Sequence, residues 1–472
     1  PTVTGAAPQP EPPLSVALPP ITLPSGKGET VTAKEPVSTF SLHVSDVSFR
    51  LAQSTLAAMA RGENPPEPTL RAEEIYNALD YDDPYPTERE KVRARIEQSA
   101  HPILQQRNLV RIALRVAATG RVAQQPLRLT ILLDTSGSME REDRRLAVRQ
   151  ALSRLMALLG PQDRVTLIGF ARQPRLLAEN VAGPQAVDLV RLAAETPPDG
   201  GTNLEAALTL ARELALRHKT AGAQNRIVLL TDGAANLGDA DPARLGTSVE
   251  ALRQAGISFD ACGVGLEGTG DAVLESLTRR GDGRYYVLDR AEAADVAFAA
   301  KIAGALRPAA ENVKVQVRFN PARVGRYRLI GFEKHRLAEQ DFRNDQVNAA
   351  ELSAEEAAVA MYQVEALPEG TGDLGEVSVR FRDPATGEMV ERTWTIPHEP
   401  QAPAFVRAAP SLQLAGFAAM LAEVLSESPV GEQIELAQLA PTANRLRTMY
   451  PQKPRVAELL TMYEQLRRLE KR

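Results

Sequence analysis

The sequence is poor in cysteine and in aromatic residues, and each shortage excludes a class of site. Cys262 is the only cysteine among 472 residues, so the chain cannot form an internal disulfide or a metal site built from several thiolates. Its apolar surroundings, ISFDACGVG, predict a buried and unreactive thiol. Aromatic residues make up 4 % of the chain, with one tryptophan, which argues against a surface that stacks nucleic-acid bases.

The chain also lacks a long apolar run and an excess of positive charge. No apolar stretch approaches the roughly 18 residues that a membrane-spanning helix needs, so we expect no transmembrane segment in this chain. The net charge of −5 argues against binding to nucleic-acid phosphates. Apolar residues at 43 % and charged residues at 24 % are typical of a soluble globular protein. The length predicts two to four domains.

The terminal segments differ in composition from the middle of the chain. Residues 1–37 hold nine of the 34 prolines, which predicts a disordered tether without a core. We expect residues 38–107 to form a mostly helical region with one strand near its start, and residues 401–472 to form a helical C-terminal region. An apolar stripe predicts that the last helix packs against the rest of the protein. The stripe consists of Val456, Leu459, Leu460, Tyr463, Leu466 and Leu469.

Two separated segments alternate apolar and polar residues with the period of a half-buried strand. The first is a single strand within residues 108–124, and the second is a series of strands across residues 306–400. We predict that the later segment is a β-rich module, a sandwich, and that the earlier strand joins it. The α/β unit between them would then be an insertion.

Residues 125–305 alternate between short apolar strands and amphipathic helices. This order is the signature of an α/β fold in which a doubly wound, mostly parallel sheet is covered by helices on both faces. In such sheets, ligands bind beyond the carboxyl ends of the strands.

Polar side chains collect at three places that should reach this edge of the sheet. Asp134 ends the strand LRLTILLD, and Ser136 and Ser138 follow it at alternate positions. Thr202 lies in the Gly-rich loop DGGTN, just before a helix, and Asp232 ends the strand RIVLLTD. We therefore predict that two carboxylates and three hydroxyls converge.

All five side chains offer hard oxygen atoms, and no imidazole or thiol accompanies them. Such a set is suited to Mg²⁺, or to Mn²⁺ or Ca²⁺, and not to zinc or copper. Two carboxylates balance the charge of a dication, and one coordination position would be left for a water or an outside oxygen. Without metal, Asp134 and Asp232 would lie near each other unneutralised.

The motifs DTSGS, GGTN and TDG resemble the metal-ion-dependent adhesion site of von Willebrand factor type A (VWA) domains. The resemblance covers roughly residues 125–305 and carries over to Asp134, Ser136, Ser138 and Thr202, with Asp232 as the fifth ligand. It implies a Rossmann-like fold, a divalent cation and a protein partner whose Asp or Glu side chain completes the metal coordination. It implies an adhesion or scaffold module and not an enzyme.

The flanking segments resemble a bacterial subgroup of VWA proteins. PVSTFSLHVSDVSF and IYNALDYDDPYP are similar to its N-terminal conserved region, and NVKVQVRFNPARVGRYRLIGFE is similar to the start of its uncharacterised C-terminal extension. Many members look exported or lipid-anchored. Since the sequence begins at Pro1 and not at Met, we expect that an upstream segment has been removed or left out. The resemblance implies that this segment could carry a lipid anchor and that the protein is located in the cell envelope or periplasm.

The same residues allow other interpretations. DTSGS taken alone is also a helix N-cap. A serine nucleophile needs a base and an orienting acid, but none of the five histidines lies at an obvious edge position. They are His43, His101, His218, His335 and His398. A structural assembly protein that binds without metal is the main alternative function.

A second motif resembles a dinucleotide-binding loop. Gly263, Gly265 and Gly268 spell GxGxxG after a strand, and Asp289 ends the next strand. Acidic residues in the loop would face a pyrophosphate, and the motif comes late in the α/β unit. We therefore interpret it as a flexible loop near the edge that carries the site.

Overall fold

The computed structural model describes residues 28–470, except residues 44, 66–67, 88–89, 105, 118–124, 234–240, 266–270, 289–307, 348, 354–356 and 385. The strands of this part of the chain form three sheets, of which two are antiparallel and one is mostly parallel. The fold is thus α/β with a flanking β-rich part, as the sequence predicts.

The mostly parallel sheet lies in the middle of the chain, in the order β10-β9-β8-β5-β6-β7, and only β7 runs antiparallel to its neighbour. Its strands are β5 (Leu127–Asp134), β6 (Arg164–Phe170), β7 (Pro174–Ala182), β8 (Gln224–Thr231), β9 (Ser258–Val264) and β10 (Tyr285–Leu288). Its helices are α3 (Glu142–Ala157), α4 (Asp188–Glu195), α5 (Leu204–His218), α6 (Pro242–Gln254) and α7 (Asp271–Arg280). The helix expected from residue 291 lies outside the described residues.

Strand β5 is central because its apolar residues cover both faces of the sheet. Leu129, Ile131 and Leu133 pack into the core under α3 and α4, whereas Leu132 packs into the core under α5, α6 and α7. A strand buried on both faces needs such a continuous apolar run. Its position between β8 and β6 brings the ends of β5 and β8 side by side.

The two antiparallel sheets share one core with the terminal helices. One sheet has the order β1-β12-β15-β4-β3, and the other has the order β13-β2-β11-β16-β17, with β14 also paired to β11. Their strands are β1 (Thr30–Val31), β2 (Val37–Ser41), β3 (Val92–Ala100), β4 (Asn108–Val116), β11 (Pro308–Phe319), β12 (Val324–Ile330), β13 (Arg336–Leu337), β14 (Ala350–Ser353), β15 (Ala357–Ala366), β16 (Gly375–Arg382) and β17 (Met389–Ile396). Since β4 pairs with β15, the α/β unit is inserted between strands of one sheet.

Helices cover this core at both ends of the chain. They are α1 (Val47–Ala60), α2 (Ala72–Tyr76), α8 (Pro410–Leu425), α9 (Ala440–Met449) and α10 (Pro454–Leu469). Helix α8 is buried around its whole circumference from residue 411 to residue 423, which explains its unbroken apolar sequence. Helix α10 packs on the core through the stripe predicted from the sequence. Within the described residues, no helix has both the length and the apolar character to cross a bilayer.

Two expectations about the N-terminal region are wrong in part. Residues 28–37, expected in the tether, include β1, which pairs with β12, and Thr32, which is fully buried; residues 1–27 lie outside the described part. Within residues 38–107, β2 is the strand expected near the start, but β3, in a stretch expected to be helical, is also a strand. The sequence VRARIEQSA in β3 hides its strand character because its buried side chains include polar ones. Gln98 is buried, for example, and donates to the Pro397 carbonyl at 2.5 Å.

A buried carboxyl group in α2 should make stability depend on pH. Glu73 is 2 % exposed, and burial, with the charge of Glu74, raises its pKa to about 8. The folded state thus holds a proton that the unfolded state releases near pH 4.5. The stabilisation is complete below that unfolded pKa and is lost as the pH rises through 8. We expect Glu73→Gln to flatten the fall in the free energy of unfolding between pH 5 and pH 9, measured by urea titration.

The control for this titration is Glu376→Gln, which changes an exposed carboxyl group on β16. This variant should keep the wild-type pH dependence. Parallel curves for wild type and Glu73→Gln would show that Glu73 is ionised in the folded protein and contradict the prediction.

Candidate metal-binding site

The site begins at the carboxyl end of β5. Asp134 is 2 % exposed, and its carboxylate accepts hydrogen bonds from the Ser136 backbone N–H at 2.8 Å and from the Thr231 hydroxyl at 2.6 Å. Thr231 is the last residue of β8, so the neighbouring strand fixes the orientation of the Asp134 carboxylate. The adjacent strand ends thus place Asp134 beside the segment that holds Asp232.

The two serines of the first loop are held close together. The Ser136 and Ser138 hydroxyl oxygens are 3.1 Å apart. Ser136 is buried, whereas Ser138 is exposed in the short 3₁₀ helix Gly137–Glu140. Two adjacent hydroxyls, one of them open to solvent, are suited to a shared cation that outside oxygens can also reach.

The loop that carries Thr202 reaches the same edge of the sheet. Ser136 forms a β-bridge with Asp199, and the Asp199 N–H donates to the Thr135 carbonyl at 3.1 Å. Thr202 is 2 % exposed. Asn203, the next residue, caps α5 by accepting a hydrogen bond from the Ala206 N–H at 3.0 Å. The Gly-rich loop is therefore anchored both to the first loop and to a helix.

Asp232 is ion-paired with an arginine that the sequence analysis did not single out. Arg144, in the first turn of α3, donates through Nη1 to the Asp232 carboxylate and to the Ser138 carbonyl, the latter at 2.9 Å. The expectation that Asp232 lies unneutralised without metal is therefore wrong. No local signal marks Arg144, because its partner lies 88 residues away in the chain.

The electrostatics of the two carboxylates differ. Burial, with the charge of Asp232, raises the pKa of Asp134 above its usual range, although hydrogen bonds from Thr231 and Ser136 oppose this effect. A bound cation would relieve this cost, since positive charge favours the ionised form. The buried Asp134 carboxylate therefore favours a positive charge beside it.

Comparisons with known proteins identify the family of the domain that carries these residues. The family model described as von Willebrand factor type A domain matches residues 129–234, which include all five predicted site residues. The model described as von Willebrand factor matches residues 26–111, and the model of the C-terminal part of the uncharacterized protein YfbK matches residues 304–469. The chain is a bacterial VWA protein with a C-terminal extension.

Two curated relatives and one solved structure illustrate the extent of the likeness. The uncharacterized protein YfbK of Escherichia coli is 30 % identical over 68 % of this chain and 57 % of its own length. The inter-alpha-trypsin inhibitor heavy chain H4 of Sus scrofa is 29 % identical over 30 % of this chain and 16 % of its own. The chain thus spans less than two thirds of either relative. The VWA protein from Catenulispora acidiphila shares the fold at a TM-score of 0.50 and 14 % identity, over 79 % of this chain and 89 % of that one.

The donor set of this VWA domain fits a hard divalent cation. Asp134, Ser136 and the Thr202 segment meet at one edge, and Asp232 is close enough to raise the pKa of Asp134. Among the described residues, no three carboxyl, imidazole or thiol groups cluster as metal ligands. A cation here would therefore rely on hydroxyl and water oxygens beside two carboxylates, as Mg²⁺ tolerates.

A groove opens from the VWA site between α3 and α4. Its volume is about 640 Å³, and its walls include Asp134 and Ser136. Apolar side chains such as Val148 and Val190 line it, and Leu146 at its side is 44 % exposed. This size is typical of ligand-binding clefts. The groove beside the site therefore has room for a ligand much larger than a single coordinating oxygen.

The histidines do not supply the base that a serine nucleophile needs. The rings of His43 and His335 are buried and stacked at 4.9 Å. His101 is buried, with its pKa lowered to about 3, and accepts hydrogen bonds through Nδ1 from residues 103 and 104. His218 Nε2 lies 2.8 Å from a Glu179 oxygen, and the backbone N–H of His398 donates to the Asp373 carboxylate. All five thus have surroundings other than the VWA site.

The glycine motif lies beside the VWA site, and the structure describes only its first part. Gly263 is in β9. Gly265 has a φ of +80°, and a Cβ added there would lie 3.0 Å from Nε of Arg144. Gly268 and Asp289 lie outside the described residues. Cys262 is fully buried, and burial raises the pKa of its thiol, as expected of an unreactive cysteine.

Proposed function

We propose that the VWA domain binds a protein partner through a divalent cation, Mg²⁺ or else Mn²⁺ or Ca²⁺. The ligands are the five residues predicted from the sequence. They are Asp134, Ser136, Ser138, Thr202 and Asp232. The observation that carries the proposal lies where the ends of β5 and β8 meet. There the buried Asp134 carboxylate accepts a hydrogen bond from the Thr231 hydroxyl, and the Ser136 and Ser138 hydroxyl oxygens lie 3.1 Å apart.

The chain's own residues would divide the work. Asp134 and Asp232 supply charge, and Thr231 orients the Asp134 carboxylate. Ser138 is exposed to solvent, so an oxygen atom from a partner can approach it. When bound, the cation would offer its open coordination position to an Asp or Glu side chain of the partner, and such charge-assisted contacts are strong when water is excluded.

The groove beside the site supports a protein ligand over a single small anion. Its apolar wall and the exposed Leu146 offer area that a carboxylate alone would not cover. Interfaces combine a few polar anchors with apolar contacts of this kind. We further propose that the protein acts as an adhesion or scaffold module, not as an enzyme, and that it is exported to the cell envelope or periplasm.

Calorimetric titration tests the metal site directly. We expect wild type to bind one Mg²⁺ or Mn²⁺ ion and Ser138→Ala to bind it about tenfold more weakly or worse, which corresponds to roughly 1.4 kcal/mol or more. The matched control is Ser153→Ala, which removes an exposed hydroxyl from α3 away from the site. If wild type binds no metal, or if Ser138→Ala binds it as tightly as Ser153→Ala does, the metal assignment is wrong.

Capture of partners from an envelope fraction, with and without EDTA, tests the second step. The proposal expects a protein that is retained by wild type with Mg²⁺ and lost both with EDTA and with Ser138→Ala. A partner retained equally under all three conditions would favour the alternative, a structural assembly protein that binds without metal. That alternative is favoured by one observation, the Arg144 ion pair that already neutralises Asp232.

A further inference from the structure

Arg144 lies inside the proposed metal site and not at its rim. The residue is 6 % exposed, and one nitrogen, Nη1, contacts two of the three loops of the site. It donates to the carbonyl of Ser138 and to the carboxylate of Asp232. One positive charge therefore joins a predicted ligand of the first loop to the carboxylate ligand at the end of β8.

The surroundings of Arg144 are shaped to keep its guanidinium in this place. On the side of β9 it faces Gly265, where an added Cβ would lie 3.0 Å from Nε. Its neighbour Asp143 is paired instead with Arg141, at 2.9 Å on the exposed side of α3. A buried guanidinium is costly unless it is paired, so the position is maintained by its bond to Asp232 and by the space that Gly265 leaves.

We propose that Arg144 is a tethered cation that holds Asp232 when the site has no metal and competes with a divalent cation for it. This inference rests on the proposed metal-binding function and adds its regulation. A dication that takes Asp232 must approach within a few ångströms of a fixed positive charge, and the repulsion weakens metal binding. The metal-free site stays closed by an internal ion pair, and the wild-type metal affinity is lower than the five oxygen ligands alone would give.

Titration of Arg144→Gln with Mg²⁺ tests the competition. We expect this variant to bind Mg²⁺ at least about tenfold more tightly than wild type, since one unit of nearby positive charge is removed. The matched control is Arg145→Gln, which makes the same charge change at the next residue, on the exposed side of α3. Its affinity should stay within about threefold of wild type, because exposed charges are screened.

A second measurement in EDTA tests the tether without any metal. Arg144→Gln, Asp232→Asn and the double variant are unfolded with urea, and the double variant should lose less than the sum of the two single losses. If Arg144→Gln does not show a cooperative unfolding transition, Arg144→Met, which also removes the charge, replaces it in the cycle.

The outcomes separate this inference from the function on which it rests. If wild type binds Mg²⁺ and Arg144→Gln binds it no more tightly, the competition is wrong while the metal site stands. If no variant binds Mg²⁺, the metal site and the competition both fail. Additive losses in EDTA would overturn the tether whatever the titrations show.

Discussion

With Mg²⁺ at about one hundred times its dissociation constant, the free energy of unfolding of the wild-type protein should rise by about 2.7 kcal/mol, and that of Asp134→Asn should not rise. Asp134 is the carboxylate around which the other groups are arranged, and its bonds to Ser136 and Thr231 fix it before any ion arrives. Asparagine keeps the shape and removes the charge. Urea titrations with Mg²⁺ and with EDTA measure both values.

In EDTA the same variant should unfold no more easily than wild type. Burial raises the pKa of Asp134, which means that its charged form is costly when no cation balances it. Asp188→Asn, at the exposed start of α4, is the matched control and should keep the full Mg²⁺ effect. Equal stabilisation of Asp134→Asn by Mg²⁺ would contradict the assignment of Asp134 as a metal ligand.

Arg226→Ala should cost about 3–5 kcal/mol in the free energy of unfolding, since removing one partner of a buried ion pair leaves charge without compensation. Arg226, in β8, makes two bonds to Asp260 at 2.8 and 2.9 Å and one to Glu351 at 2.9 Å. All three side chains are nearly inaccessible to solvent. Because Glu351 belongs to β14, this cluster joins the VWA domain to the antiparallel sheets.

The control for Arg226→Ala is Arg217→Ala, at the end of α5. Arg217 also contacts two carboxylates, Glu179 and Glu213, but its side chain is 50 % exposed. Solvent-exposed pairs contribute only about 0–1 kcal/mol. If urea titration shows similar losses for the two variants, burial does not determine how much the Arg226 cluster contributes to the free energy of unfolding.

The parts of the fold that could be predicted are those whose pattern is local. The parallel strands are continuous apolar runs. The five proposed ligands lie at the end of such a strand, just after it, or in the loop before α5. Helix α10 shows its buried face through regular spacing. In each case a short stretch of sequence contains the whole signal.

The parts that were predicted wrongly depend on distant partners. Strand β3 buries polar side chains, and Glu97 among them is neutralised by Arg111 and accepts a hydrogen bond from Ser411, which is 314 residues away. β1 is only two residues long and is a strand because β12 offers it an edge. Neither pattern differs from that of a helix or a loop until the partner is in place.

The amino-acid sequence by itself determined the α/β alternation and the strand ends and loops that carry the five proposed ligands, because strand ends and tight turns depend on neighbouring residues. Only the tertiary structure decided that Arg144 neutralises Asp232, that Thr231 orients Asp134, and that Arg226 joins the VWA domain to the scaffold through Glu351. These contacts join residues 88 to 125 positions apart. Buried charges pair with whichever opposite charges folding brings next to them, and the spacing of these residues along the chain does not predict the pairs.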